Sequence, residues 1–402
     1  MRRAITPLTN IALGASVPCS LMLAWQANQW VIGAAGATAG LCLLALNQPR
    51  LNRRHVVELV DDPPPQSPNE QAGTSNGALH RPRGVVQVEP HDLVGQMLAQ
   101  GRAALMLRPQ IAEKLEPAQL DAAQEALDET MAVVPQGPVL IRSRRFDELD
   151  EDDTARGERL VQVDGFFLDR FPVTNWQYQQ FIDAGGYEQM SLWDEAIWPA
   201  VLGFVDQSGQ GGPKFWSGGR HPAGKGEHPV VGVCWYEAAA FARWAGKRLA
   251  SDPEWVKAGS WPVCATGTRP VQRKFPWGDA MDRKIVNIWG SGHDGTIPVN
   301  ATPQSASVGG VQQLIGNVWE WTSSNFGVWE PSCAKIETSA PMRSIRGGAF
   351  DTYFDTQTHC QFQSGECPLA RKHNIGFRCA LGFGDIVSAA DSSAAVLQEV
   401  HA

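Results

Sequence analysis

Charge is scarce in this 402-residue chain: only 19% of the residues are Asp, Glu, Lys or Arg, and they leave a formal charge of −8 at pH 7. Without a basic excess there is no electrostatic footprint for nucleic acid, so none is expected as a partner. The nine histidines contain no His-x-x-x-His pair, so no helix face offers two imidazoles to a metal. A Gly-x-Ser-x-Gly elbow, a phosphate-binding loop and a dinucleotide fingerprint are also missing. The eight cysteines do not form a disulfide pattern. Cys19 and Cys42 sit in apolar runs, while Cys234, Cys264, Cys333 and Cys379 have no paired spacing, which fits a reducing compartment.

What the chain does have is 15 tryptophans, 40 glycines and 27 prolines. That mixture suits an irregular, loop-rich fold better than a helical bundle, and the length is ample for a sizeable core.

The N-terminus differs in character. Residues 5–25 and 30–46 carry no charge and flank the polar link Gln26-Ala27-Asn28-Gln29, which reads as a transmembrane helical hairpin over residues 1–54. Gly36 and Gly40 give the small-residue register for close helix packing, and Trp25 and Trp30 bracket the link as interfacial rings do. Arg2 and Arg3 precede the pair while Arg50, Arg53 and Arg54 follow it, so both ends are expected in the cytoplasm, as an integral membrane protein with its C-terminal domain on that side. The competing reading is a cleaved signal peptide ending near Ala24 or Ala27, which leaves the second apolar run unexplained. Residues 55–90, with Pro63-Pro64-Pro65 and few apolar side chains, read as a disordered linker, and residues 385–402 as a disordered tail.

Between them the spacing predicts a helical segment over 91–133, with helices at 92–107 and 117–133; in the second, Leu120, Ala123, Leu127 and Met131 share a face. Residues 139–141 and 160–168 read as strands around the acidic run 147–153. Thr174 with Gln177 and Ser251 with Glu254 are capping boxes that open helices. The first helix is expected to turn Trp176, Phe181 and Ile182 inward. Between these helices, Ala238, Phe241, Ala242 and Ala245 mark another that Gly246 ends. After Gly259 turn residues recur every few positions and regular structure is expected to thin out.

The last hundred residues hold the densest pattern. Gly-Asn-Val-Trp-Glu-Trp-Thr-Ser at 316–323 sets Glu320 between two indoles, where an unpaired carboxylate would be costly, so a metal or a basic partner is expected. Arg346-Gly347-Gly348-Ala349-Phe350 and Asn374-Ile375-Gly376-Phe377-Arg378-Cys379 follow. With Phe167-Leu168-Asp169-Arg170, His228-Pro229-Val230, Trp244-Ala245-Gly246-Lys247-Arg248 and Phe275-Pro276-Trp277-Gly278-Asp279 in the same order, residues 134–384 closely resemble the sulfatase-modifying-factor family, which includes the formylglycine-generating enzymes. The fold class that the resemblance implies is α+β, related to C-type lectins, low in regular structure and clasped by calcium.

The resemblance maps a first calcium site onto Asn287, Ile288, Asp294 and Thr296, and a second onto Gln313, Gly316, Val318 and Glu320, with Gln313 departing from the usual Asn or Asp. Read from the residues alone, Glu320 instead pairs with Arg346 or Arg378. The enzymes' two copper-binding cysteines map onto Thr352 and Gln357, with Ala349 in the serine position, and neither a hydroxyl nor an amide is a soft copper(I) ligand. Ergothioneine-type relatives take iron from a separate helical domain carrying the His-x-x-x-His motif that is missing here.

Three readings result. In the first, the chain is a non-catalytic binding or scaffold module that recognises a protein or small molecule through the loop 351–366, with Asp351, Tyr353, Asp355 and Gln357 as contact residues. In the second it is a copper- or iron-dependent oxidoreductase with relocated ligands, for which Cys360, Cys367 and His359 are the candidates. In the third it is a diversified lectin-like receptor, since such proteins also end in Asn-x-Gly-Phe-Arg.

Overall fold

The computed structural model describes residues 90–142, 158–264, 269–327 and 341–387, all within one folded unit, Gly84–Ala402. The expected membrane hairpin, nearly all of the linker, the acidic run 147–153 and the tail beyond residue 387 lie outside the described residues. Among the described residues no helix is long and apolar enough to cross a membrane.

The N-terminal part folds as helices α1 (Pro90–Ala99), α2 (Ala103–Met106), α3 (Pro109–Ala112) and α4 (Pro117–Thr130). Ala123 and Leu127 are fully buried, as their shared face requires. The helix stops at Thr130, short of the expected Val133, because Met131–Val134 becomes strand β1, drawn into extended form by its ladder with a later strand. Strands β2 (Gly137–Arg142), β3 (Glu158–Val163) and β4 (Phe166–Asp169) follow. The single strand expected over 160–168 is thus two. Gly165 breaks it, since a Cβ there would lie 2.4 Å from the Phe383 ring.

Helix α5 (Asn175–Asp183) begins as the capping box dictates: the Gln177 N–H donates to Thr174 Oγ1 at 3.1 Å, and the Thr174 N–H donates to Gln177 Oε1 at 2.9 Å. Phe181 is buried, but Trp176 is 48% exposed and Tyr178 takes the inward position. Five residues rotate the helix by about 140°, which puts Trp176 nearly opposite Phe181. After the short α6 (Trp198–Val201), helix α7 (Trp235–Trp244) buries Ala238, Phe241 and Ala242 and ends before Gly246, whose φ of 76° only glycine adopts freely. Strand β5 (Arg248–Leu249) leads to α8 (Asp252–Ser260), every residue of which is buried. From there to residue 318 the only helix or strand among the described residues is one 3-10 turn, Pro303–Ser305.

The remaining strands are β6 (Trp319–Asn325), β7 (Arg343–Arg346), β8 (Gln363–Glu366), β9 (Ile375–Phe377) and β10 (Cys379–Gly382). They complete two four-stranded sheets, ordered β1-β4-β10-β5 and β8-β7-β6-β9, beside a β2-β3 ribbon. In the second sheet only β6 and β9 run parallel. The strand period of two explains the Trp-Glu-Trp run. Trp319 and Trp321 join Ile345, Phe377 and Tyr178 in one apolar cluster, while Glu320 and Thr322 face α8 on the other side.

Candidate functional site

The layer between α8 and the β6-β7-β8 surface is polar yet sealed. Glu320 and Arg378 are both buried; Arg378 Nε and Nη2 donate to its two oxygens at 2.8 and 2.7 Å, and Trp255 Nε1 adds a third bond at 2.8 Å. Next to it Arg346 Nη2 reaches Asp252 Oδ2 at 3.1 Å, and Asp252 Oδ1 accepts from Thr322 Oγ1 and Ser344 Oγ at 2.8 Å each. Gln363 Nε2 donates to the other oxygen of Asp252. Of the two arginines open to Glu320, Arg378 is its partner. Arg346 belongs to Asp252, a carboxylate that sequence reasoning passed over in favour of its capping neighbours Ser251 and Glu254. These pairs are structural: buried charges are retained where opposite charges and hydrogen bonds satisfy them.

The pairing bears on the second calcium set. Glu320 meets a guanidinium of the chain itself, and Gln313 is committed as well, its Oε1 accepting from Asn317 Nδ2 at 2.7 Å and its Nε2 donating to the Pro298 carbonyl at 2.9 Å. The Gly316 carbonyl takes the Val318 N–H at 2.9 Å. This donor set does not fit a cation, and the expectation that Glu320 ligates calcium is corrected to a salt bridge. At the centre stands Asn317, another residue the sequence reading missed. It is 1% exposed and at φ 67°, its Oδ1 accepts from Asn287 Nδ2 and the Ile297 N–H, and its Nδ2 donates to Ile297 and Gln313. A Gly-Asn pair is a known signature of positive φ, which was the available signal.

The first set is more open. Asn287 Nδ2 closes the loop on the Gly295 carbonyl at 2.9 Å, and Ser291 Oγ donates to Asn287 Oδ1 at 2.9 Å. Thr296 Oγ1 pairs with His228 Nδ1 at 3.0 Å. Burial first, then the charge of Lys225, holds that histidine below the ordinary range, so a neutral ring faces the threonine. Asp294 is exposed and forms no ion pair or hydrogen bond among the described residues. The Ile288 carbonyl takes the Ser291 N–H at 3.0 Å, which leaves the exposed Asp294 carboxylate as an oxygen of this set open to a hard cation.

The loop after β7 carries the positions of the family's thiolates. Gly347 and Gly348 have φ of 99° and 78°, and a Cβ on Gly347 would lie 2.4 Å from the Leu314 carbonyl oxygen. Thr352 is 5% exposed and fastens this turn: its Oγ1 accepts the Ala349 N–H at 2.8 Å, and its own N–H donates to the Ala349 carbonyl at 2.9 Å. Gln357 is half-buried at the end of the 3-10 turn Asp355–Gln357. Asp351 is held by the following loop, accepting from Asn374 Nδ2 at 3.0 Å with His373 Nε2 at 3.5 Å.

Beyond them the chain opens to solvent. Trp289, Tyr353 and Phe354 are 56%, 63% and 60% exposed, with ring centroids 6.4 Å apart for the first pair and 5.2 Å for the second. With Thr356 and the paired Arg283 and Asp355 they line a cavity of about 370 Å³. Of the sequence-derived contact residues, Tyr353 and Asp355 line it, while Asp351 and Gln357 do not.

The thiol candidates are dispersed in character. Cys360 is fully buried, and burial pushes its thiol far above the ordinary range despite the nearby Arg346 charge, whereas Cys367 is exposed. His359 is buried and its Nδ1 accepts the Gln361 N–H at 3.2 Å. Among the described residues no three His, Cys, Asp or Glu side chains gather where a metal could bind.

The described residues thus form a loop-rich α+β unit with a glycine turn and a ring-lined cavity in the loop that follows it. Residues 117–382 match the sulfatase-modifying factor enzyme 1-like domain, and the chain belongs to that family. It is 34% identical over 279 residues to the hercynine oxygenase of Mycolicibacterium smegmatis, covering 65% of this chain and 63% of that protein. With the formylglycine-generating enzyme of Mus musculus it shares 31% over 271 residues, 58% of this chain and 70% of the relative. It is equally 31% identical over 298 residues to the inactive Cα-formylglycine-generating enzyme 2 of Mus musculus, covering 64% of this chain and 88% of that one. The chain thus spans somewhat less than two thirds of the hercynine oxygenase it matches.

Proposed function

We propose that this chain is a ligand-recognition member of its family, acting through the ring-lined cavity and not through copper–thiolate oxidation. The observation that carries this reading is Thr352. Where the family resemblance puts the first thiolate, a buried hydroxyl is committed to the Ala349 N–H, and exposed rings stand in the same loop. Exposed aromatic side chains beside a charged pair are typical of contact surfaces. Two measurements test it. Elemental analysis after reconstitution with copper(I) and iron(II), with oxygen uptake followed on a cysteine peptide and on hercynine plus cysteine, should show no tightly held redox metal and no turnover. Panning a displayed peptide library should then yield binders to the chain that are lost in the Trp289→Ala, Tyr353→Ala double variant.

The likeness to a hercynine oxygenase favours a second reading, a metal-dependent oxidoreductase with relocated ligands. Oxygen uptake that depends on bound copper or iron and is lost on Cys360→Ala would establish it and overturn the first.

Calcium belongs to the same proposal at the first site only, with Asp294 supplying the carboxylate and Ile288 and Thr296 the carbonyls. Calcium should raise the unfolding temperature of the native chain and leave that of Asp294→Ala unmoved; an equal rise in both would remove the site. The proposal also tethers the domain to a membrane on its cytoplasmic face through residues 5–25 and 30–46, on the strength of their uncharged sequence and flanking arginines. Release of the chain by alkaline carbonate, or a reporter fused after Ala402 that works only outside the cytoplasmic membrane, would end that part.

A further inference from the structure

A second cavity, of about 420 Å³, shares no residue with the first and lies where α1 meets α5 and the end of α7. Its most telling occupant is Arg102. The guanidinium lies 4.9 Å above the centre of the Trp244 ring, Nε donates to the Trp244 carbonyl at 3.0 Å, and Nη1 has only a long 3.4 Å bond to Gln100 Oε1. Among the described residues no carboxylate pairs with it, although it is partly buried and burial lowers its pKa. The one acid in the lining, Asp183, is spoken for, with Gln179 Nε2 on Oδ1 at 3.1 Å and Arg220 on Oδ2 at 3.2 Å. The side-chain amides of Gln96 and Gln180 line the cavity without a partner among the described residues, and Leu93, Met97 and Ala184 give it apolar wall. A half-buried cation without a counter-charge attracts an anion more strongly than a solvated one does.

We propose that this cavity binds a small carboxylate carried on an apolar body, its oxygens on Arg102 and the glutamine amides and its body against Leu93 and Met97. A guanidinium matches the two oxygens of a carboxylate in its plane. A single available cation, with the carboxylate of Asp183 also in the lining, favours one negative charge over the two of a phosphate monoester. The inference is independent of the ring-lined cavity, and its failure would leave that reading untouched.

The test uses the full chain and a matched pair of probes, 4-fluorophenylacetate and the neutral 4-fluorophenylacetamide, followed by fluorine NMR. The acid should bind at least about tenfold more tightly than the amide, and its advantage should shrink as salt rises. Arg102→Met should abolish that advantage. Gln180→Glu, which leaves Arg102 and its contacts in place, should reduce it about tenfold by supplying a competing carboxylate, and it carries the test if Arg102→Met fails to fold. Equal binding of acid and amide, no binding of either, or an acid preference that survives Gln180→Glu would overturn the proposal.

Discussion

Glu320→Gln isolates the charge at the centre of the polar layer. The amide keeps the side chain's shape and an oxygen for Trp255 Nε1, but leaves Arg378, 1% exposed, without a counter-ion. Removing one member of a buried pair costs about 3–5 kcal/mol. Arg378 would still donate to the carbonyls of Asp169, Arg170 and Gln312, so the lower end, about 3 kcal/mol, is expected. Urea unfolding followed by tryptophan fluorescence should show a lower midpoint with an unchanged slope. Adding Arg378→Met should then cost less than the two single losses summed, because the partners are in contact. Each titration would be run with calcium and with a chelator. A loss below about 1 kcal/mol would show that the pair does not hold the polar layer together. A loss that needs calcium and vanishes with chelator would show that Glu320 serves a bound cation after all.

Thr174→Ala removes the cap of α5 and should cost about 1 kcal/mol in the same urea assay; an unchanged midpoint would mean the cap is redundant with the bridge between Thr174 and Pro229. Burial alone would raise the Asp206 carboxyl, but bonds from the Ser208 hydroxyl and the N–H groups of Gly219, Ser208 and Gln210 outweigh it and bring the group below its ordinary value. The unfolded chain then binds the proton more readily, so this contribution is present above about pH 4 and is lost as the pH falls through the lower folded value. Asp206→Asn should therefore flatten the acid limb of stability against pH, and an identical limb would contradict the assignment. Iodoacetamide should label Cys264 and Cys367 in the native chain and reach Cys360 only on unfolding, as read by peptide mass spectrometry; rapid labelling of Cys360 would mean that its pocket opens.

Local signals were legible where a few adjacent residues determine the outcome. The capping boxes at Thr174 and Ser251 and the stop at Gly246 can each be read within one turn of chain, the irregular stretch after Gly259 from its closely recurring turn residues, and all stand in the structure. What depends on distant chain was not legible. The break at Gly165 answers to Phe383, and the choice between Arg346 and Arg378 for Glu320 depends on how α8 lies across β6 and β7. Glu320 and Arg346 are even direct cross-strand partners, yet Asp252, delivered by α8, takes the arginine. The ring-lined cavity was half legible. Tyr353 and Asp355 sit in the loop singled out from sequence, whereas Trp289 and Arg283 reach it from more than sixty residues upstream.

The alternation along β6 has a consequence for how the chain finds its native form. Both faces of this strand are buried, one among rings and the other among charges. A slip of one residue would push Trp319 and Trp321 into the polar layer and leave Glu320 stranded among aromatics. Such a mispaired strand would lose on both sides at once, so correct alignment during folding is proofread twice, by oil and by salt.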